Sequence, residues 1–183
     1  MNTFLPPIEK PASIGMKVAY YFTKKTLGKV ITSLKVHSAR LPTAFGMFYA
    51  RVGSLDKRLI LPAETALLIR QQVARLNLCS FCIDAGEAVA IKTKMDIRKL
   101  QSLEHYMTDP LFTGADRAAL DYTTELTVRK HVEQQTFDRL LIHFSEREIC
   151  EIVYLVASEH LYNITNIGLN IGSDKLCEIA RKA

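Results

Sequence analysis

Apolar residues recur at spacings of three and four along nearly the whole chain, while stretches that alternate apolar and polar residues for long are scarce. A face that repeats every 3.6 residues is buried only by a helix, so the sequence predicts an all-α fold. Proline and glycine mark the breaks. After a proline-marked start, a helical run covers about Ile14 to Ala39, bent at Gly28, and a short helix follows Pro42 until Gly53 ends it. Pro62 opens the next helix, in which Leu67, Leu68 and Val73 face inward and Arg70 and Gln71 lie elsewhere on the wheel. Asp96 caps a short helix to about Tyr106, and Asp109, Pro110 and Gly114 form a loop. Helices then cover about Asp116 to Lys130 and Gln135 to Phe144. Ser145 and Glu148 form a capping box that starts a long helix to about Gly168, and a terminal helix follows Ser173.

A chain of 183 residues suits one compact domain, with an N-terminal helical arm (1–56) and a main helical region (57–183) joined without a linker. At this size it folds without staples. The four cysteines, Cys79, Cys82, Cys150 and Cys177, are too few and too scattered for a secreted disulfide scaffold. No basic end followed by an apolar run opens the chain and no window has membrane-spanning length, so a cytoplasmic protein with no membrane partner is expected. The net charge of +5 is concentrated early, at Lys17, Lys24, Lys25, Lys29, Lys35 and Arg40. These cations alternate with Val18, Ala19, Tyr20, Phe22, Leu27 and Val30, the pattern of an amphipathic helix with a solvated basic face. No nucleic-acid module accompanies them, so no nucleic-acid partner is expected.

The segment Asn77 to Ala90 carries Cys79 and Cys82, two residues apart at a helix start. Three readings are open. Helix-start donors and the dipole favour thiolate, and the spacing lets the two sulfurs close a small ring, which suits a redox pair. Free cysteines are also among the most buried residues, and Leu78, Phe81 and Ile83 are apolar neighbours that suit a purely structural pair. A zinc site needs two more ligands, yet neither Cys150, Cys177 nor the five histidines form a second close pair, so no metal or other cofactor is expected.

The run from Leu76 to Ala85, Leu-Asn-Leu-Cys-Ser-Phe-Cys-Ile-Asp-Ala, resembles the signature of the carboxymuconolactone decarboxylase family, in its alkylhydroperoxidase D-like (AhpD-like) branch. Leu61-Pro62-Ala63-Glu64 upstream, Ala118 to Tyr122, Phe144 to Val153 and Asn163 resemble its other helices, so the likeness covers about Lys57 to the end. The resemblance implies an all-helical fold with the CxxC pair at a helix start, assembled as a homo-oligomer, a trimer or hexamer. It further implies a thiol-dependent peroxidase whose Cys79 and Cys82 act on a small hydroperoxide and are restored by a dithiol or lipoyl-type reductant. Disulfide exchange without peroxide chemistry and a catalytically lapsed helical binding oligomer are the alternatives. The lactone chemistry that names the family does not call for a cysteine pair.

Two relay residues of that branch are missing: Gly86 stands where it has histidine, and Leu67 where it has glutamate. A thiol of ordinary acidity is only a few per cent thiolate at neutral pH, so a replacement is needed. Glu64, one turn before Leu67, is the first candidate, although acid in a first helical turn also serves the dipole. His160 is the second, because it shares a helix face with Ile149, Ile152, Val153, Val156 and Asn163. A core histidine bound to a structural partner is the rival reading. Which cysteine attacks stays open. Gly86 signals either close helix packing or room for a substrate.

Overall fold

The computed structural model describes residues 3–182. Helices α1 (Ile14–Leu27), α2 (Phe48–Asp56), α3 (Ala63–Leu76), α4 (Ser80–Lys92), α5 (Ile97–Gln101), α6 (Gly114–Arg129), α7 (Gln134–Leu141), α8 (Glu146–Ile167) and α9 (Leu176–Lys182) build it. No strand occurs among the described residues. Helix α3 is the hub, packing on α4, α6 and α8, while α9 docks on α4. Its faces meet two separate cores. Ile69 and Val73 join Ala119, Leu140, Ile152 and Leu155, while Leu68 joins Ala90, Leu100, Leu103 and Leu120. These side chains are essentially removed from water, and each Leu, Ile or Val among them contributes about 1.5–3 kcal/mol of transfer free energy.

The expected helix over 14–39 is corrected. Gly28 ends α1 in the left-handed region with φ 80°, and a Cβ there would approach Ile179 to 2.9 Å. The chain then makes a π-helical turn at Leu34–Ser38. Gly53 does not end the following helix either. A second π-helical turn, Pro42–Met47, leads into α2, which runs past Gly53 to Asp56. Asp56 is held there by Arg70 at 2.9 Å and by the Tyr154 hydroxyl at 2.9 Å. On α1, only Met16 and Tyr20 are buried, and Val18 and Phe22 stand exposed.

Buried carboxylates fasten the loops. Glu151 accepts the backbone N–H groups of Ile60 and Leu61 at 2.9 and 3.0 Å, fixing the entry to α3. Asp84 accepts those of Leu176 and Cys177, both at 2.9 Å, and so caps α9. Asp174 takes the Thr32 N–H at 2.6 Å and Lys29 Nζ at 2.7 Å, which ties the N-terminal arm to the C-terminal loop. The Ser145 capping box forms as the sequence predicts: Ser145 Oγ accepts from Glu148 N, and Glu148 accepts from Ser145 N at 2.8 Å. Replacing Ser145 by alanine is expected to lower the unfolding free energy by about 1 kcal/mol, read from the denaturant midpoint.

Candidate active site

Helix α3 ends at Asn77, and the exposed Leu78 takes the left-handed conformation with φ 58°, turning the chain sharply into α4. Cys79 is the residue before α4, and its sulfur accepts the Cys82 N–H at 3.3 Å. One helical turn brings the two Cα atoms to 5.3 Å, within disulfide range, and the pair is bonded. The turn is pinned to α8 by the Asn77 side chain, which donates to Asn163 Oδ1 at 2.9 Å and lies 3.0 Å from His160 Nδ1.

The two sulfurs have different surroundings. Cys79 is 1% exposed and packs among Val36, Ala74, Phe81 and Ile171. Cys82 lines a cavity of about 350 Å³. Apolar and aromatic side chains form most of its wall: Ile31, Tyr49, Leu67, Phe81, Val89 and Tyr162. Tyr49 and Tyr162 pack at 4.8 Å between ring centroids, and Tyr49 meets the His37 ring at 5.5 Å. Burial raises both tyrosine hydroxyls above their ordinary pKa, so they are neutral donors.

Polar groups enter from three directions. Arg70 on α3 binds Asp56 and reaches Glu159 on α8 at 3.2 Å. Glu159 also accepts from Asn163 Nδ2 at 2.7 Å, and its burial raises its pKa against the opposing pull of Arg70. Asn166, two turns further along α8, places its Nδ2 3.6 Å from Cys82 Sγ. His37, which also lines the cavity, is buried and packs against Phe45 at 4.8 Å between ring centroids, with the planes tilted by 54°. Burial lowers the His37 imidazole from 6.5 to about 4, against a smaller raising effect of Asn166, so the ring is neutral at pH 7.

The Gly86 question resolves in favour of packing. A Cβ on Gly86 would meet Gln71 Nε2 at 1.8 Å, because the Gln71 side chain fills that notch and donates to the Cys82 carbonyl at 3.1 Å. The carbonyl oxygen can only accept, so the amide nitrogen must face it. Gln71 is 2% exposed, and its Oε1 is buried without a partner. The helical-wheel placement of Arg70 and Gln71 away from the interior is thus corrected: both line the cavity with Cys82.

Neither relay candidate lines this cavity. Glu64 is engaged by Lys99, which also binds Asp116 at 3.1 Å, so its carboxylate serves an ion-pair cluster at the start of α3. His160 accepts at Nδ1 from Asn77, its Nε2 has no partner, and burial, then Lys130, lower its pKa. The imidazole that does share the cavity is His37, which no sequence pattern marks, as none marks Asp56, Glu159 or Asn166. Among the described residues, no group of three or more His, Cys, Asp or Glu side chains could hold a metal ion, and no helix is long and apolar enough to cross a membrane.

No family model matches the chain. It is similar to the uncharacterised protein YnjA of Escherichia coli (strain K12), with 26% identity over 97% of this chain and 98% of that one. The solved structure of the debrominase Bmp8 superposes with a TM-score of 0.82 at 19% identity, covering 100% of this chain and 98% of the other. The alkylhydroperoxidase AhpD core of an uncharacterised peroxidase-related protein from Ralstonia eutropha JMP134 gives 0.78 at 18% identity, covering 96% and 97%. The fold is therefore the all-helical AhpD-like one.

Two outcomes follow from this geometry. Gly86→Ala should destabilise the protein by about 1–2 kcal/mol by driving out the Gln71 amide, yet stabilise a Gln71→Ala background by up to about 1 kcal/mol through helix propensity. A double-mutant cycle in denaturant reads the reversal. His37 sets a pH dependence. Its folded pKa lies below its unfolded one, so the unfolded chain binds the proton first and stability falls as pH drops from 6.5 toward 4. The loss is about 2 kcal/mol at pH 4.5, and His37→Phe should remove that share of the slope between pH 7 and 4.5.

Proposed function

We propose that the protein is a thiol-dependent peroxidase in which Cys82 reduces a small organic hydroperoxide and Cys79 completes the disulfide. The observation that carries this reading is the asymmetry of the pair: both sulfurs are within bonding distance, and only Cys82 opens into the aromatic-walled cavity. The Cys82 thiolate attacks the terminal peroxide oxygen, the O–O bond breaks, and the leaving alkoxide takes up a proton to give an alcohol. Cys82 is then a sulfenic acid. The Cys79 sulfur displaces its hydroxyl, releasing water and forming the Cys79–Cys82 bond, with the proton lost from Cys79 completing the balance. A dithiol or lipoyl-type reductant restores both thiols. Arg70 is already paired with Asp56 and Glu159, so the cavity offers no free cation to an anionic substrate and favours an uncharged one.

The likeness to the debrominase, whose structure has also been solved in complex with 2,3,4-tribromopyrrole, favours a second reading. The same thiolate would accept bromine from a small electron-rich ring, the ring carbon would take a proton, and Cys79 would displace bromide to form the same disulfide. The dithiol loses two electrons and the ring gains them. A homo-oligomer, trimer or hexamer, and a cytoplasmic location belong to the same proposal. The exposed Ile14, Val18, Tyr21 and Phe22 on α1 support an assembled state.

The test is consumption of cumene hydroperoxide by reduced protein, with dihydrolipoamide as reductant and mass spectrometry for the disulfide. Turnover is expected with wild type, a loss of at least about a hundredfold with Cys82→Ser, and a single turnover with Cys79→Ser. Debromination of a bromopyrrole without peroxide consumption would move the assignment to the second reading. If disulfide-bearing substrates oxidise the pair and neither other substrate does, the activity is disulfide exchange.

A further inference from the structure

We propose that Asn166 is the hydrogen-bond donor that holds the Cys82 sulfur as a thiolate. The inference rests on Cys82 being the reacting sulfur, as proposed above, and is independent of what that sulfur attacks.

The orientation of each group follows from its neighbour. A disulfide sulfur carries no hydrogen and can only accept, so the Asn166 amide turns its nitrogen toward Cys82 Sγ, at 3.6 Å. Its oxygen is left on the far side, buried and without a regular hydrogen bond. His37 lines the same cavity, and its Nε2 is likewise buried without a hydrogen-bond partner. At the other ring nitrogen, Ser38 Oγ lies 3.1 Å from Nδ1. With that hydroxyl donating, Nδ1 accepts and the ring hydrogen sits on Nε2, which requires a neutral imidazole, and burial keeps the ring neutral.

The arrangement is held rather than incidental. Asn166 is 3% exposed, His37 4% and Ser38 1%, and the imidazole is fixed between Phe45 and Tyr49. His37 and Ser38 sit on the π-helical turn Leu34–Ser38, a backbone form enriched at functional sites. A hydrogen bond to the charged form of a group favours that form. A thiolate is a much better acceptor than a disulfide sulfur, so reduction of the pair strengthens the Asn166 contact.

Other groups facing Cys82 do not replace this donor. Arg70 from α3 is offset by Asp56 at the end of α2 and Glu159 on α8, while Tyr49 and Tyr162 are neutral. The α4 dipole acts on Cys82 as well and is common to every variant below.

The experiment is the alkylation rate of Cys82 by iodoacetamide in fully reduced protein as a function of pH, resolved by peptide mass spectrometry. Asn166→Leu should raise the midpoint by about one pH unit, an alkylation rate about tenfold lower at pH 7, with Asn166→Ala as the smaller replacement should leucine prevent folding. A midpoint unchanged by loss of the Asn166 amide overturns the proposal. A wild-type protein that shows the expected pattern and ignores hydroperoxides would reject the peroxidase reading alone.

Discussion

The structure depends on the turn at Asn77, Leu78 and Cys79. A leucine in the left-handed region costs on the order of 1–2 kcal/mol, and Leu78 is exposed and recovers little of it by packing. What holds the turn is Asn77, whose side-chain amide reaches Asn163 and His160 on α8. Because the turn is tight, α4 folds back along α3, the Gln71 side chain drops into the space over Gly86, and both sulfurs stand at the N-terminal end of α4. A looser connection would lose all three relations together. His160 acquires its role through the same contact, as a part of the turn.

The arm side of the cavity wall, Ile31, Ser33 and His37, is held by a tie to the C-terminal loop. Asp174 grips Lys29 and Thr32, and that grip sets the π-helical turn carrying His37 against the last turns of α8. Helix α8 presents Glu159, Asn163 and Asn166 at intervals of four and three residues, a polar line beside the buried apolar positions Ile149, Ile152, Leu155 and Val156. Burying charge there is tolerable because Arg70 is shared between Asp56 and Glu159 and each carboxylate keeps further partners, Tyr154 for one and Asn163 for the other. The cost falls on specificity of geometry: removing Arg70 would leave two carboxylates facing an apolar wall.

What was legible in the sequence was local. The helices, the Ser145 capping box, the Pro62 start and the cysteine spacing depend on residues within a turn or two of one another, and the structure reproduces them. The arm's helix ends were misjudged because Gly28 and Gly53 look alike in sequence. At Gly28 the chain needs a left-handed residue beside Ile179, whereas Gly53 sits inside a helix whose end is held from outside by Arg70 and Tyr154. The candidate site was legible only at Cys79 and Cys82. Arg70 and Gln71 read as lying off the inward face of the wheel because their partners lie on α2, α4 and α8, far along the chain. Glu64 read as available because Lys99, which binds it, is 35 residues away. His37 lies in a basic segment whose pattern marks a solvated face, and only the π-helical turn rotates it inward.

The most direct test of the account is to ask which sulfur first carries oxygen. Reduced protein is treated with less than one equivalent of cumene hydroperoxide in the presence of dimedone, which captures sulfenic acid, and the modified peptide is identified by mass spectrometry in the Cys79→Ser and Cys82→Ser variants. The account predicts adduct on Cys82 in Cys79→Ser and none on Cys79 in Cys82→Ser, because only Cys82 faces the cavity. Adduct on Cys79 in the second variant would contradict it and assign the attack to the buried sulfur at the helix start.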